Sequence, residues 1–418
     1  MRTVKRNLPI NLKYLLTVPD SPFNLEKIRK ENYDSKGIIM IPDNFSILDN
    51  PDKSYEILKQ LISALLIEDT DFVYLNYQDC HKIELSTQIL VDIILLDFFK
   101  LARKSYYSDR NRRDLFPREI GGININDKGI QKMLFSVGSP AVLKVRDINF
   151  PDIVKYELCV HDNNKERDPE QRMAQKELDT SIMADYVINC LSRMNKKLTS
   201  EKLNDLCTVI GEILINAEEH SSTQYRFSIG YFKEENEDNN HYGIFRLVIL
   251  NFGRTIYEKF KVDDCPNKDI VERMKQLSKN YTKRSFFSER FEEESLWTLY
   301  ALQEGVTSVS HESFKRGNGS IRFIESFFNI KGTKEADDIS RMSILSGRTR
   351  IAFDGKYNIV SKTNTDEETF KVMTFNDSGN IEDKPDSDYV YCTDHYFPGT
   401  MISARILLND DDIKQINS

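Results

Sequence analysis

Residues 203–222 read LNDLCTVIGEILINAEEHSS. Wound at ~100° per residue, this stretch separates into two faces. Leu203, Leu206, Cys207, Ile210, Ile213, Leu214 and Ala217 fall on one side. Glu212, Asn216 and His220 recur at i, i+4 and i+8 on the other, with Glu219 beside them. Thr199 or Ser200 opens the helix, and the spacing carries it to about His220. The ordinary fate of such a polar face is solvation, so the surrounding sequence has to decide what this one does.

Two apolar runs follow, Tyr225–Phe232 and Gly243–Leu250, flanking the polar segment Lys233–His241. They predict a hairpin with a solvated tip. Upstream, Ile153–Val160 reads as a strand and Asp162–Gln175 as a polar linker. A helix then carries Ile182, Val187, Ile188 and Leu191. Downstream come a charged helical stretch over 266–304 and strands at Arg341–Leu345, Thr349–Phe353 and Thr400–Leu407. Residues 361–390 are polar and acidic and predict an elaborated hairpin insertion. Residues 151–418 thus predict an α+β sandwich, an antiparallel sheet on one side and helices on the other.

Residues 1–150 have another rhythm. Segments 37–42 and 71–76 read as buried strands, with Ile57, Leu58, Leu61, Ile62, Leu65 and Leu66 at helical spacing between them. A polar loop, Tyr77–Lys82, leads to Ser86 and Thr87 as an N-cap signal before the apolar helix Ile89–Leu101. A short helical pattern follows Asn126–Gly129 with Ile130, Met133 and Leu134. This is a small α/β module.

Of the 418 residues, 39% are hydrophobic and 30% charged, so the chain can bury real cores and is not a disordered polymer. The net charge of −8 argues against a protein built to coat nucleic acid. The basic stretch Arg103 to Arg118 reads first as a solvated helix end, with a partner-binding patch as the other reading. No apolar signal region follows the N-terminus, and Ile89–Ala102 is too short and too interrupted by charge to span a bilayer. Six scattered cysteines show no C-x-x-C spacing. Together these predict a soluble, cytoplasmic, reduced protein with no membrane partner.

Four boxes in order carry a resemblance. The triplet E-x-x-x-N-A-x-x-H of Glu212, Asn216 and His220 resembles the N-box of the GHKL superfamily of ATPases and kinases. Asn251-Phe252-Gly253-Arg254-Thr255-Ile256 resembles its D-x-G-x-G-I box, with Asn for the acid and Thr for the second glycine. Arg316-Gly317-Asn318-Gly319 resembles the glycine-rich end of the ATP lid, and Phe397-Pro398-Gly399-Thr400 the final G-T motif. The resemblance covers about 260 residues and implies a Bergerat-type sandwich binding ATP and Mg²⁺. It implies that Asn216 holds the metal through its side-chain oxygen, as Mg²⁺ prefers, and that Glu212 is the general base. It also implies that Asn251 accepts a hydrogen bond from the base, that Gly253, His220 and Thr400 complete the site, and that Arg316–Gly319 meets the phosphates. The lid would span about 261–315.

No histidine has the sequence surroundings of a sensor-kinase phosphoacceptor. The N-box is closest to that of anti-sigma-factor serine kinases, and strand Val73–Leu75, the loop Asp79-Cys80 and the helix after Ser86-Thr87 are similar to STAS-like modules. The same pattern suits small α/β interaction domains in general. If STAS-like, the module would take phosphate at Ser86 or Thr87. Trp297 reads as a core anchor. The expectation is a nucleotide-dependent regulatory switch, ATPase or kinase, with a protein partner and an arrangement compatible with a homodimer. The alternative is a nucleotide-gated or structural interaction module that does not hydrolyse.

Overall fold

The computed structural model describes residues 8–108, 116–142, 148–162, 168–200, 203–204, 206–208, 210–211, 223, 225–237, 240–279, 281–282, 291–306, 321–322, 324–325, 340–363 and 369–409. The chain is mixed α/β and forms two compact units, Met1–Val160 with Phe227–Tyr231, and His161–Arg226 with Phe232–Ser418.

In the first unit, α1 (Ile10–Thr17) and α2 (Leu25–Glu31) precede β1 (Ile38–Met40) and β2 (Asn44–Phe45). Then come α3 (Pro51–Leu66), β3 (Phe72–Asn76), β4 (Lys82–Ile83), α4 (Leu85–Ser108), β5 (Glu119–Ile123) and α5 (Lys128–Ser136). The order β1-β3-β5 is all parallel, with Ile39 opposite Leu75 and Leu75 opposite Gly122. A parallel sheet needs cover. Leu58, Leu61 and Ile62 of α3 and Ile89, Leu90, Ile93 and Leu95 of α4 are all buried to within 1% of full. The first three turns of α4, Leu85–Leu95, are buried on every side. The helix carries Asp92 and Asp97 inward. Asp97 meets the Leu12 N–H at 3.4 Å and Lys100 Nζ at 3.1 Å. Asp92 Oδ1 accepts from Ser139 Oγ at 2.6 Å and Gln88 Nε2 at 2.8 Å.

The second half begins with β6 (Ile153–Asp162) and α6 (Pro169–Arg193), followed by β7 (Tyr225–Glu237) and β8 (Asn240–Phe252). Next are α7 (Ile256–Lys261), α8 (Lys268–Ser278), α9 (Glu293–Ala301), β9 (Arg341–Phe353), β10 (Val360–Thr363), β11 (Thr369–Val372) and β12 (Val390–Asn409). Strand order in the large sheet is β6-β7-β8-β12-β9, and β12 runs antiparallel to both its neighbours. Tyr186 of α6 stacks on Phe245 of β8 at 5.3 Å and donates to the Arg246 carbonyl at 2.8 Å, fixing the helix to one face. Asp179 of the same helix lies 2.8 Å from His161 Nδ1 and 3.1 Å from Arg226 Nη2, all three buried. Burial alone would raise the Asp179 pKa, but His161 and Arg226 beside it bring it below the usual value.

Several boundaries differ from the sequence expectation. The polar linker 162–175 is partly helix, because Asp168 accepts from the Glu170 N–H and Pro169 takes the first helical position, where its missing donor costs nothing. Its first turns are exposed, so their polarity mimics a linker. The tip 233–241 is largely strand, as β7 and β8 both extend into it. The runs 341–345 and 349–353 form one strand, with Gly347 at φ +60 between them. Among its described residues, the charged helical stretch 266–304 carries α8 and α9. Helix α4 starts at Leu85, so Ser86 and Thr87 sit within its first turn and not at the cap. Among the described residues, no helix is long and apolar enough to cross a membrane.

Candidate functional site

One face of the second half of β8 is apolar until its last alternating position. Phe245, Leu247 and Ile249 share a face, and Asn251 is next in that series, only 3% exposed. Directly opposite residues in an antiparallel ladder point the same way, and Thr400 lies opposite Asn251. Ser346 of β9 lies opposite Thr400 in turn. Three polar side chains therefore form a row across β8, β12 and β9 at the end of a hydrophobic sheet face. Thr400 Oγ1 and Ser346 Oγ are 2.9 Å apart. Ser346 Oγ also accepts from the Ile256 N–H at 2.9 Å and donates to the Gly399 carbonyl at 3.2 Å. With its single proton on Gly399, Ser346 takes the Thr400 proton as acceptor, which leaves the Thr400 oxygen free to accept. Asn251 Nδ2 is buried and has no hydrogen-bond partner among the described residues.

The backbone around this row is tight. Gly399 has φ +153, and a Cβ there would lie 2.0 Å from the Asn251 carbonyl oxygen and 2.9 Å from Phe252 Cα. Only glycine lets β12 approach β8 this closely. Gly253, at φ +154, donates its N–H to the Pro398 carbonyl at 3.3 Å. Thr255 caps α7 in a capping box. Its hydroxyl accepts from the Glu258 N–H at 3.1 Å, and Glu258 Oε2 accepts from the Thr255 N–H at 2.8 Å. Glu258 Oε1 in turn accepts from Tyr396 Oη at 2.8 Å, tying the loop after β8 to β12.

Beyond the row lies a region of acids held by neighbours. Glu294 Oε1 accepts from the Arg348 N–H at 2.7 Å; burial raises the Glu294 pKa against that contact. Trp297 is fully buried beside them, donating to Ser278 Oγ at 3.2 Å with its ring edge-on to Tyr257 at 5.6 Å. The described part of the expected lid span, 261–315, carries helices α8 and α9, and Leu296, Trp297 and Leu299 of α9 are core. A cavity of about 930 Å³ opens beside α9 and is lined by Glu294, Ser295, Arg348, Tyr391 and Cys392 among others. Asn251, Gly253 and Thr400 do not line it, and burial pushes the Cys392 thiol up to about 11.

Of the residues selected from sequence, Asn251, Gly253 and Thr400 come together as described. Glu212, Asn216, His220, Arg316, Gly317, Asn318 and Gly319 lie outside the described residues. The described positions between 203 and 211 are helical, with Leu206 and Ile210 buried. Sequence reading missed Ser346 and Glu258. The only hint of Ser346 was the polar Ser-Gly break in an apolar strand, and of Glu258 the Thr-x-x-Glu spacing. Ser86 and Thr87 are wholly buried, and Thr87 Oγ1 accepts from the Ile47 N–H at 2.7 Å, so neither hydroxyl is presented for phosphorylation in this conformation. Among the described residues, no group of three or more His, Cys, Asp or Glu side chains is placed to hold a metal ion. Comparison with protein families, with curated proteins and with solved structures finds no match to this chain.

Proposed function

We propose that the chain binds Mg-ATP in a GHKL-type sandwich domain, and that occupancy acts as a regulatory switch on an N-terminal, STAS-like interaction module. The observation that carries this reading is the register of β8 against β12. Two boxes far apart in sequence, each singled out on its own, meet with Thr400 opposite Asn251. In this reading Asn251 and Thr400 hold the base, with Gly253 shaping the turn beneath it. Glu212 is the general base, Asn216 holds Mg²⁺ with His220 nearby, and Arg316 to Gly319 contact the phosphates. Asn251 Nδ2 supports it, because a buried amide donor without a partner is costly and a ligand acceptor would relieve it. The chemistry is phosphoryl transfer to water or to a protein hydroxyl, where positioning and electrostatics supply most of the rate.

The test separates binding from chemistry. Asn216→Ala should weaken Mg-nucleotide binding, whereas Glu212→Gln should spare binding and cut phosphate release by ~10²–10⁴-fold. Equal loss of binding in both variants would remove Glu212 from the chemistry. A second reading, a nucleotide-gated module without turnover, is favoured by Thr255, which serves as a helix cap where the resembled box has glycine. Nucleotide binding without phosphate release by the unaltered chain would select it. Coupling between modules is tested by hydrogen exchange. Nucleotide should protect 261–315 and alter exchange in 70–105, and protection confined to the surroundings of Asn251 would leave a site without a switch.

A further inference from the structure

The parallel sheet of the first unit has one closed face and one open face. Ile39, Val73 and Leu75, no more than 1% exposed, make the closed face, and α3 packs on β1 and β3. The residues between them make the other face. There Ile38 and Met40 are 43% and 45% exposed, and Phe72, Tyr74 and Ile123 are half-buried. The Phe72 and Tyr74 rings stack at 5.0 Å along β3. An all-parallel sheet is normally covered on both faces, so an apolar face left open calls for an occupant.

Register arranges this face in rows. Ile38, Tyr74 and Gly121 stand side by side in one row, and Met40, Asn76 and Ile123 in the next. A Cβ on Gly121 would meet only the Ala141 carbonyl oxygen, at 4.0 Å, and the residue's φ is not left-handed. Neither its backbone nor its described neighbours demand a glycine, and its missing side chain leaves a notch beside Tyr74. A half-turn about an axis along β3 fits the patch to itself. Ile38 of one copy falls over the notch at the second copy's Gly121, Met40 over Ile123, and the stacked rings meet their counterparts. Parallel strands share an N-terminal end, where exposed Lys36 precedes β1 and exposed Glu119 opens β5. The same half-turn sets each Lys36 against the other copy's Glu119. Another apolar partner would need neither the notch nor the opposed charges.

We propose that the open face of the parallel sheet is a self-association surface, on which two copies of the chain pack sheet to sheet about a two-fold axis along β3. Strands of three to five residues, ~4.8 Å apart, make a patch of roughly 10 by 15 Å. That is well under the ~800 Å² each partner gives up in a stable complex, so the dimer is weak and reversible.

The experiment is sedimentation velocity on the full chain, without nucleotide, from about 1 to 500 µM, where a monomer–dimer equilibrium with a Kd of ~10 µM or weaker is expected. Ile38→Glu should weaken it at least ~10-fold, because each dimer would then enclose two carboxylates over the notches. Gly121→Val should weaken it too while leaving the melting temperature unlowered, since the strand has room for the side chain within its own chain. Lys36→Glu or Glu119→Lys alone should weaken association ~5-fold, and the two together should restore it, since each dimer holds two such pairs. Melting curves check that each variant folds; if Ile38→Glu does not, Gly121→Val and the charge reversals carry the test. A chain that stays monomeric throughout overturns the proposal, as does a dimer indifferent to Ile38→Glu and Gly121→Val. Failure of the double reversal to restore association overturns the two-fold arrangement.

Discussion

Replacing Gly399 with alanine puts one methyl group where two strands nearly touch. The new Cβ would sit 2.0 Å from the Asn251 carbonyl oxygen, so β12 and β8 have to separate by more than an ångström at this point. A non-glycine residue at φ +153 adds ~1–3 kcal/mol of backbone strain. Separation also weakens the Gly253 N–H to Pro398 bond and the adjoining ladder pairs, at ~0.5–1.5 kcal/mol each. The sum is about 3 kcal/mol, which for a unit of this size lowers the melting temperature by ~6–12 °C. Gly379→Ala is the control. Its φ is +62, but its Cβ would meet nothing nearer than Val360 at 4.0 Å, so it should cost only the backbone term of about 1 kcal/mol. Differential scanning fluorimetry on both variants gives the comparison. If Gly399→Ala melts within 1–2 °C of the unaltered chain, or no lower than Gly379→Ala, the close approach that builds the site is not real.

Two further outcomes follow from buried charge. Asp92 is enclosed, and burial lifts its carboxyl pKa up to about 7 against the pull of Ser139 and Gln88. The native state therefore holds this proton more tightly than the unfolded chain does. The contribution to stability is full below about pH 4 and is lost as pH rises toward 7, a change of about 4 kcal/mol. Asp92→Asn keeps both donors satisfied and should flatten this dependence in urea unfolding between pH 5 and 8; an unchanged slope would assign it elsewhere. Asp179→Ala removes the carboxylate between His161 and Arg226 and leaves a buried guanidinium without it. A loss of ~3–5 kcal/mol is expected by chemical denaturation, and a loss under 1 kcal/mol would mean water reaches the pair.

Periodicity carried most of the first unit. The stripe from Ile57 to Leu66 and the run after Ile89 are where the helices stand, because apolar spacing and burial are one signal there. The helices Ile10–Thr17 and Leu25–Glu31 were not legible. They are short, and the Asn24 cap that starts the second, accepting from the Glu26 and Lys27 N–H groups, is visible only once the turn is formed. Strand β5 was missed because Glu-Ile-Gly-Gly-Ile has little strand preference of its own and is held by pairing with β3. In the candidate site, motif order located Asn251, Gly253 and Thr400, and their meeting depends on a register that no local pattern encodes. Ser346 joins them only through that register, and Thr255 escaped because a helix cap and a degenerate glycine box look alike in sequence.

The central claim is that Mg-nucleotide binds the folded chain at the Asn251–Thr400 row. The most direct measurement is the melting temperature of the unaltered protein with Mg²⁺, with and without ATP. A ligand at ~100 times its dissociation constant adds ~2.7 kcal/mol to the native state, which predicts a rise of ~5–11 °C that keeps growing with the logarithm of ligand concentration. No rise at millimolar ATP and Mg²⁺ would contradict the account.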